Sequence, residues 1–258
     1  MKKNYVIEPI AGLSNCLRVV FSYYYYAKKH NLHLIVIWKV TNDCNGFFLD
    51  YFEEIDGITF YRNNYLNFKI DYSGYDFHKK FNPYRKFIYK ELKLKPFLIY
   101  ILTKKLFKIK KYIAVHIRRT DHINLAKRKK LFTTDEEFIK FIDDNKENKN
   151  LFIATDNHNS YNKFKKLYRD KVKLYYYNTT SDIRKTKLKE AIIDIFMCVL
   201  SDKFKGSGYS TFSDLIISLK SNLKYTKKYF MDVYFKCLYN IFYFYILDKF
   251  IFNLIKID

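Results

Sequence analysis

Two adjacent arginines follow a hydrophobic strand in the segment HIRRTD, residues 116–121. Lysine outnumbers arginine five to one in this chain, so two arginines at this point suggest a physical requirement for guanidinium groups. A guanidinium fork fits phosphate oxygens better than an ammonium group does. Strand alternation places His116 and Arg118 on one face and Arg119 on the other. We predict that Arg118 binds a phosphate, while Arg119 either binds the same ligand or pairs with Asp121.

A carboxylate lies inside the apolar segment AIIDIFMCV, at Asp194. Burying such a group without a partner is costly. One partner that fits is the edge of a guanine base, whose two N–H groups a single carboxylate can accept. A salt bridge to Arg184, Lys187 or Lys189 is the structural alternative.

Two glycine-containing turns precede helical segments, and such turns suit phosphate groups because the first backbone N–H groups of a helix are free. One is AGLSN (11–15), with Gly12 and Asn15, and the other is GSG (206–208). The helix after the second turn opens with three candidate ligand contacts, Thr211, Phe212 and Ser213. Helix capping alone also explains the hydroxyl residues.

Neither a metal site nor a bound cofactor is predicted. The turns carry no adjacent pair of carboxylates, and Asp143-Asp144 lies in a polar segment. The four cysteines are far apart and form no CxxC pair, which argues against zinc and against a disulfide framework. Cys16 and Cys198 lie in apolar helical segments and are expected to be buried thiols. A strand beginning at Tyr5 leaves no room for a signal peptide, so we expect a cytoplasmic, reducing location.

Alternating strands and helices must position these residues. Strands are predicted at 5–10, 33–38, 58–61, 112–117, 151–156, 172–177 and 202–205, and helices at 17–30, 84–110, 187–201 and 210–220. This alternation indicates an α/β fold with parallel sheets. The series divides near residues 105–110. We therefore expect two Rossmann-like halves facing across a cleft, over 1–108 and 109–220, followed by a helical tail at 221–258.

The formal net charge of +22 suits an anionic partner. A basic nucleic-acid-binding protein is one alternative function. However, the abundance of Lys, Asn, Tyr, Ile and Phe is typical of AT-rich coding sequence, so much of this charge is attributed to a solvated surface and no nucleic acid is expected. The tail contains the uncharged run CLYNIFYFYIL (237–247), which is shorter than the about 20 residues needed to span a bilayer. Packing on the core is favoured, with peripheral membrane contact as the alternative.

The order of these segments resembles the fucosyltransferase superfamily that includes α1,2-, α1,6- and protein O-fucosyltransferases. HIRRTD is similar to its HxRRxD motif, and LFIATDN (151–157) is similar to a second motif, a strand ending in TD. The segment AIIDIFMCVLSDKFKGSGYSTFSDL (191–215) is similar to a third motif. That motif is a helix with an internal Asp, then a strand, a turn of small residues and a helix that starts with Ser/Thr-Phe-Ser. EPIAGLSN (8–15) is similar to the family's Gly-Leu-Gly-Asn opening. The resemblance covers roughly residues 5–220.

The resemblance implies a GT-B-like architecture with the donor in the C-terminal half. It implies transfer of fucose from GDP-fucose to a glycan hydroxyl, with inversion at the anomeric carbon and without metal. Arg118 would hold the β-phosphate, and His116 and Asp194 would hold the guanine. Thr211, Phe212 and Ser213 would line the phosphate or base site.

Two departures from the family pattern affect these expectations. Ser14 replaces the second glycine of the opening motif. Leu125, Ala126 and Lys127 stand where the α1,6 branch has its catalytic glutamate. The base is therefore unassigned, with Glu8, Asp121 and His122 as candidates. A protein that binds a GDP-sugar without catalysing transfer is a further alternative.

Overall fold

The computed structural model describes most of the chain. The described residues are 3–82, 89–120, 123–145, 147, 150–176, 187–221, 230–232 and 234–236.

The first half contains a parallel four-stranded sheet. Its strands are β1 (Asn4–Pro9), β2 (His33–Ile37), β3 (Ile58–Tyr61) and β4 (Tyr72–Gly74), in the order β3-β2-β1-β4. Helix α1 (Leu13–Lys29) connects β1 to β2, and the short α2 (Phe48–Tyr51) precedes β3. The β-branched run of β2 is buried, as expected for a central parallel strand.

The second half repeats this arrangement. Its strands are β5 (Ile113–Ile117), β6 (Asn150–Thr155), β7 (Lys173–Tyr176) and β8 (Lys203–Gly206), in the order β7-β6-β5-β8. Its helices are α4 (Ile123–Arg128), α5 (Asp135–Asp143), α6 (His158–Tyr168), α7 (Leu188–Val199) and α8 (Thr211–Lys220). Helix α3 (Pro96–Ile109) joins the halves. The predicted α/β fold with two parallel sheets is confirmed.

In each sheet the second and third strands are added on one side of the first strand, and the fourth strand is added on its other side. The strand order therefore switches beside β1 and beside β5. In open α/β sheets, ligands bind at this switch point, outside the carboxyl ends of the strands. The switch points lie between β1 and β4 and between β5 and β8. The sequence segments predicted to bind the donor are AGLSN after β1, HIRR at the end of β5 and GSG after β8. All three therefore lie at switch points.

Helices α1 and α8 bring the two switch points together. Each begins directly after a switch-point strand, and the two helices are in contact. Arg18 of α1 lies close enough to Asp214 in the first turn of α8 to lower the pKa of that carboxyl, although burial raises it more. One hydrophobic core cluster includes residues of α1, α3, α7 and α8. The helices that follow the two switch-point strands therefore pack against each other.

The prediction of a helix over 84–110 is wrong in its extent. The described part of that region is helical only from Pro96, because proline fits the first turn of a helix and the residue before it avoids helical backbone. Leu94 instead pairs with Phe52 in an isolated antiparallel bridge. The short β4 was not predicted, since YSG lacks the alternation or length that identifies a strand.

The tail and the cysteines were predicted to pack on the core. Phe230 is fully buried, its ring lies 6.0 Å from that of Phe196, and its carbonyl accepts a hydrogen bond from Thr103. Residues 237–258 lie outside the described part of the chain. Cys16 and Cys198 are buried free thiols, as predicted. Within the described ranges, no helix combines the length and apolar character needed to cross a membrane.

Candidate functional site

Ser207 joins the ends of β5 and β8 at the second switch point. Its backbone N–H donates to the carbonyl of His116 over 2.9 Å, and its hydroxyl donates to the same carbonyl over 3.1 Å. The same hydroxyl accepts the backbone N–H of Arg118 over 2.9 Å. The conformation after β5 is thus fixed by a residue 89 positions later in the chain. Sequence reasoning noted this serine only as part of a turn.

His116 is buried between β5 and α8. Its Nδ1 lies 2.8 Å from Ser213 Oγ, and its ring lies 4.5 Å from that of Phe212 at an angle of 30°. Burial lowers the pKa of His116 to about 3, with the positive charge of Arg118 acting in the same direction. The imidazole is therefore neutral at physiological pH, with one nitrogen fixed by Ser213. The predicted proximity of His116, Phe212 and Ser213 is present in the structure.

The two arginines follow β5 directly and have different surroundings. Within β5, Ala114 packs in the core cluster that contains α7 and α8, and Ile117 packs with α5 and α6. The positive charge of Arg118 acts on the His116 imidazole. The guanidinium of Arg119 lies 2.7 Å from Asp135 and 4.7 Å from the Phe132 ring centre.

Asp135 pairs with Arg119. Asp121 and His122, two of the three base candidates, lie outside the described residues. Asp135 is in the first turn of α5, whose start is fixed by a capping box between Thr134 and Glu137. The pattern TTDEEF at 133–138 was a recognisable signal for this helix start.

The TD pair at the end of β6 fixes the loop after β5. Thr155 Oγ1 donates to the carbonyl of Ile117 over 2.7 Å. Asp156 accepts the backbone N–H of Arg119 over 2.9 Å and the hydroxyl of Thr120 over 2.5 Å. Both side chains are therefore engaged with the loop that follows the arginine-bearing strand.

Asp194 is buried on α7, and its Oδ1 has no hydrogen-bond partner among the described residues. Burial raises the pKa of this carboxyl well above its usual value, Glu190 adds to the rise, and Lys105 opposes it. Helix α7 packs on β5 and β6, so Asp194 lies on the same side of the sheet as His116. The two side chains do not hydrogen-bond each other. A polar atom buried without a partner marks Asp194 as a candidate ligand contact.

The first half contributes a second group of polar residues. Glu8, near the end of β1, has Oε2 2.8 Å from Lys39 Nζ. Ser14 Oγ and Asn15 Oδ1, in the first turn of α1, are buried without hydrogen-bond partners in the described structure. Gly12 is the N-cap of α1. The left-handed residue in the turn is Ala11, with φ of 78°, which sequence reasoning did not identify.

The GSG turn positions the start of α8. Ser210 Oγ caps α8 by accepting the N–H of Ser213 over 3.4 Å, and Thr211 is the first helical residue. The N–H of Gly208 donates to Thr133 Oγ1 over 2.8 Å. A Cβ at Gly208 would lie 2.0 Å from the carbonyl oxygen of Leu131. Glycine is therefore required here by close backbone approach.

The described residues contain no group of three or more His, Cys, Asp or Glu side chains arranged to hold a metal ion. The candidate site instead combines a neutral imidazole, the arginine beside it, a buried carboxyl group and two helix N-termini.

Solved structures of similar fold are fucosyltransferases. NodZ from Bradyrhizobium aligns with a TM-score of 0.54 and 14% identity, over 84% of this chain and 92% of NodZ. NodZ α-1,6-fucosyltransferase soaked with GDP-fucose gives a TM-score of 0.57 and 13% identity, over 85% and 93%. POFUT1 in complex with GDP-fucose gives 0.59 and 11% identity, over 85% and 95%.

No protein-family model matches the sequence, and no curated protein matches it either. At these identities the likeness establishes the fold. The chain therefore has the two-sheet, parallel α/β architecture of the GT-B-like proteins NodZ and POFUT1 across most of its length.

Proposed function

We propose that this protein is a glycosyltransferase that transfers fucose from GDP-fucose to a glycan hydroxyl, with inversion and without a metal ion. One observation carries the proposal: residues 116–118 and 206–213, far apart in sequence, meet at the switch point of the second sheet. The fold likeness to NodZ and POFUT1, whose structures contain GDP-fucose, supports the same donor.

Guanine recognition is assigned to His116 and Asp194. His116 is held neutral, so it can offer one hydrogen bond without adding charge near the base. Asp194 has a buried oxygen without a partner, and the N–H groups of guanine would satisfy it. Phe212 and Ser213 hold the imidazole in place, and Thr211 opens the helix beside it. Uracil cannot present the same pair of donors.

Stabilisation of the leaving group is assigned to Arg118. Breaking the bond between fucose and the diphosphate leaves negative charge on the departing GDP. A guanidinium that is already in place stabilises this charge without a metal ion. The backbone N–H of Arg118 donates a hydrogen bond to Ser207, which fixes the backbone from which this side chain extends. Arg119 remains a predicted donor contact, although its guanidinium is engaged with Asp135.

The base is assigned to Glu8 in the opposite half. Inversion requires the acceptor to attack from the side opposite the leaving diphosphate. Glu8 lies near the carboxyl end of β1, in the half of the chain that does not contain β5 and β8. Gly12 and Asn15, in the turn and helix that follow, are proposed to line the donor's phosphates from this side. The ion pair with Lys39 would have to open as Glu8 accepts the proton.

The same ion pair supports the alternative of a GDP-sugar-binding protein without transferase activity. Lys39 holds the Glu8 carboxylate at 2.8 Å, and the described helix α4 has Leu125, Ala126 and Lys127 rather than a glutamate. This alternative predicts binding of GDP-fucose without turnover.

The test is release of GDP from GDP-fucose, with and without a panel of glycan acceptors. We expect turnover with GDP-fucose that persists in EDTA and exceeds that with GDP-mannose. Glu8→Gln should abolish acceptor-dependent turnover while GDP still binds. Loss of activity on chelation, restored by Mg²⁺ or Mn²⁺, would contradict the metal-free mechanism. Tight GDP-fucose binding with no turnover for any acceptor would favour the binding-protein alternative.

A further inference from the structure

Helix α3 carries a second, exposed stripe on the side away from its buried one. The buried residues are Leu98, Ile99, Leu102, Thr103, Leu106 and Ile109. The exposed stripe, here called the α3 stripe, follows helical spacing through Phe97, Tyr100, Lys104, Phe107 and Lys108, and ends at Lys111 after the helix. Its helical part, from Phe97 to Lys108, has a length of about 16 Å at about 1.5 Å per residue.

Two phenylalanine rings on this stripe are exposed, and the ring of Tyr100 between them is half-buried. Phe97 is 43% exposed and Phe107 is 44% exposed. The described tail residues extend the surface, because Tyr234 stacks on Tyr100 at 5.5 Å and contacts Phe107 edge-on at 5.7 Å. Phe235, at 57% exposure, lies beside Phe107 at 6.4 Å. Exposed aromatic rings that contact one another in this way are a candidate interaction surface.

Uncompensated positive charge surrounds the rings. Five exposed lysines lie on the stripe or its borders: Lys104, Lys108, Lys110, Lys111 and Lys236. None lies within 4.0 Å of a carboxylate of a described residue. Asp232 is the exposed acid in the adjoining described tail segment. Lys104 lies 4.6 Å from the centre of the Tyr100 ring, so cation and ring form one surface.

We propose that the α3 stripe, with Tyr234, Phe235 and Lys236, docks the protein on an anionic lipid surface. Lysines attract acidic headgroups, and phenylalanine rings insert at the boundary between headgroups and acyl chains. In the sequence, Lys236 is followed directly by the uncharged run CLYNIFYFYIL, which lies outside the described residues. An RNA partner fits less well, because Tyr100 and Tyr234 stack on each other instead of presenting separate platforms for bases.

The proposal is tested by flotation of the full chain with vesicles of phosphatidylcholine alone and vesicles that also contain phosphatidylglycerol. We expect co-flotation with the anionic vesicles only, weakening as salt is raised. The double variant Lys104→Glu/Lys108→Glu should lower the partition coefficient at least about tenfold. The variant Phe97→Ser/Phe107→Ser should lower it with the net charge unchanged.

Matched controls lie on α6, on the opposite side of the second sheet. Lys165→Glu/Lys166→Glu makes the same change in net charge, and Leu167→Ser removes an apolar side chain that is 41% exposed. Both controls should retain most of the vesicle binding, and circular dichroism checks the folding of every variant. Equal losses in the stripe and control variants would overturn the proposal. So would absence of vesicle binding, or lysine-dependent binding of an RNA oligonucleotide in its place.

Discussion

The two adjacent arginines after β5 allow the roles of two neighbouring guanidinium groups to be compared. The charge of Arg118 acts on the buried His116, whereas Arg119 lies 2.7 Å from Asp135. We propose that the first guanidinium stabilises the leaving phosphate and expect the second, engaged with Asp135, to contribute less to donor turnover. Conservative exchange to lysine at each position separates these roles, since it retains the charge and removes the fork.

Arg118→Lys should lower kcat/KM for donor turnover by an amount equivalent to about 2.7–4 kcal/mol, as for removal of one oxyanion donor. Arg119→Lys should have the smaller effect on turnover, and its loss of the Asp135 contact should appear as a lower Tm. Steady-state kinetics with circular dichroism measure both. The assignment is wrong if Arg118→Lys keeps near-normal turnover, or if Arg119→Lys reduces turnover more in a folded protein.

Asp194 makes a separate prediction about pH. Because its pKa is raised in the folded protein, its contribution to stability is complete below the ordinary pKa of aspartate and is lost as pH rises through the raised value. Asp194→Asn replaces the ionisable carboxyl with a neutral amide, so the stability of the variant should not fall in this way as pH rises. The variant should therefore have a higher Tm than the wild type at neutral pH. GDP affinity of the wild type should rise with pH, because guanine N–H groups prefer the ionised carboxylate.

In Asp194→Asn, GDP binding should weaken by about 1.5–3 kcal/mol and lose this pH dependence. Calorimetric titration with GDP across a pH series provides the measurement. A variant that is less stable than the wild type at neutral pH, or that binds GDP equally well, would show that Asp194 has a structural partner.

At the scale of elements, the turn after β8 determines where α8 begins. Gly208 lies against the backbone of Leu131, where an added Cβ would be 2.0 Å from the carbonyl oxygen. Gly208→Ala should therefore move the turn and destabilise the protein by about 1–3 kcal/mol. Urea denaturation measures this loss. Gly12→Ala is the matched control, because its Cβ would meet only the Asp43 carbonyl oxygen at 3.6 Å, so it should have little effect on stability.

Sequence patterns predicted the elements with strong periodicity and the ends of the strands that carry chemistry. That His116 and Ser213 line one site was implied by the resemblance of their segments to the family's motifs, and the structure brings the two side chains within 2.8 Å. Contacts set by chain folding could not be predicted. The hydrogen bonds of Ser207 to the end of β5 and the pairing of Asp135 with Arg119 depend on loop paths that no local pattern encodes.

At the scale of the whole molecule, two copies of one sheet topology meet through α1 and α8. The donor-binding candidates His116, Arg118 and Asp194 belong to the second half, and Glu8 and Asn15 belong to the first. Under the proposed function, the second half holds the guanine and the leaving phosphate, and the first half supplies the base Glu8 and the phosphate contact Asn15. This division of roles predicts that the folded chain binds the nucleotide in the absence of an acceptor.

The central claim is selective binding of guanine nucleotide at the β5–β8 switch point. Thermal unfolding in the presence of GDP or UDP at equal, saturating concentration tests it most directly, since a ligand that binds the folded state raises Tm. The account predicts a clear rise in Tm with GDP and little or none with UDP. In Asp194→Asn, the rise in Tm with GDP, measured against the same variant without ligand, should be smaller than the rise in the wild type. Equal shifts with GDP and UDP, or no shift with either, would contradict it.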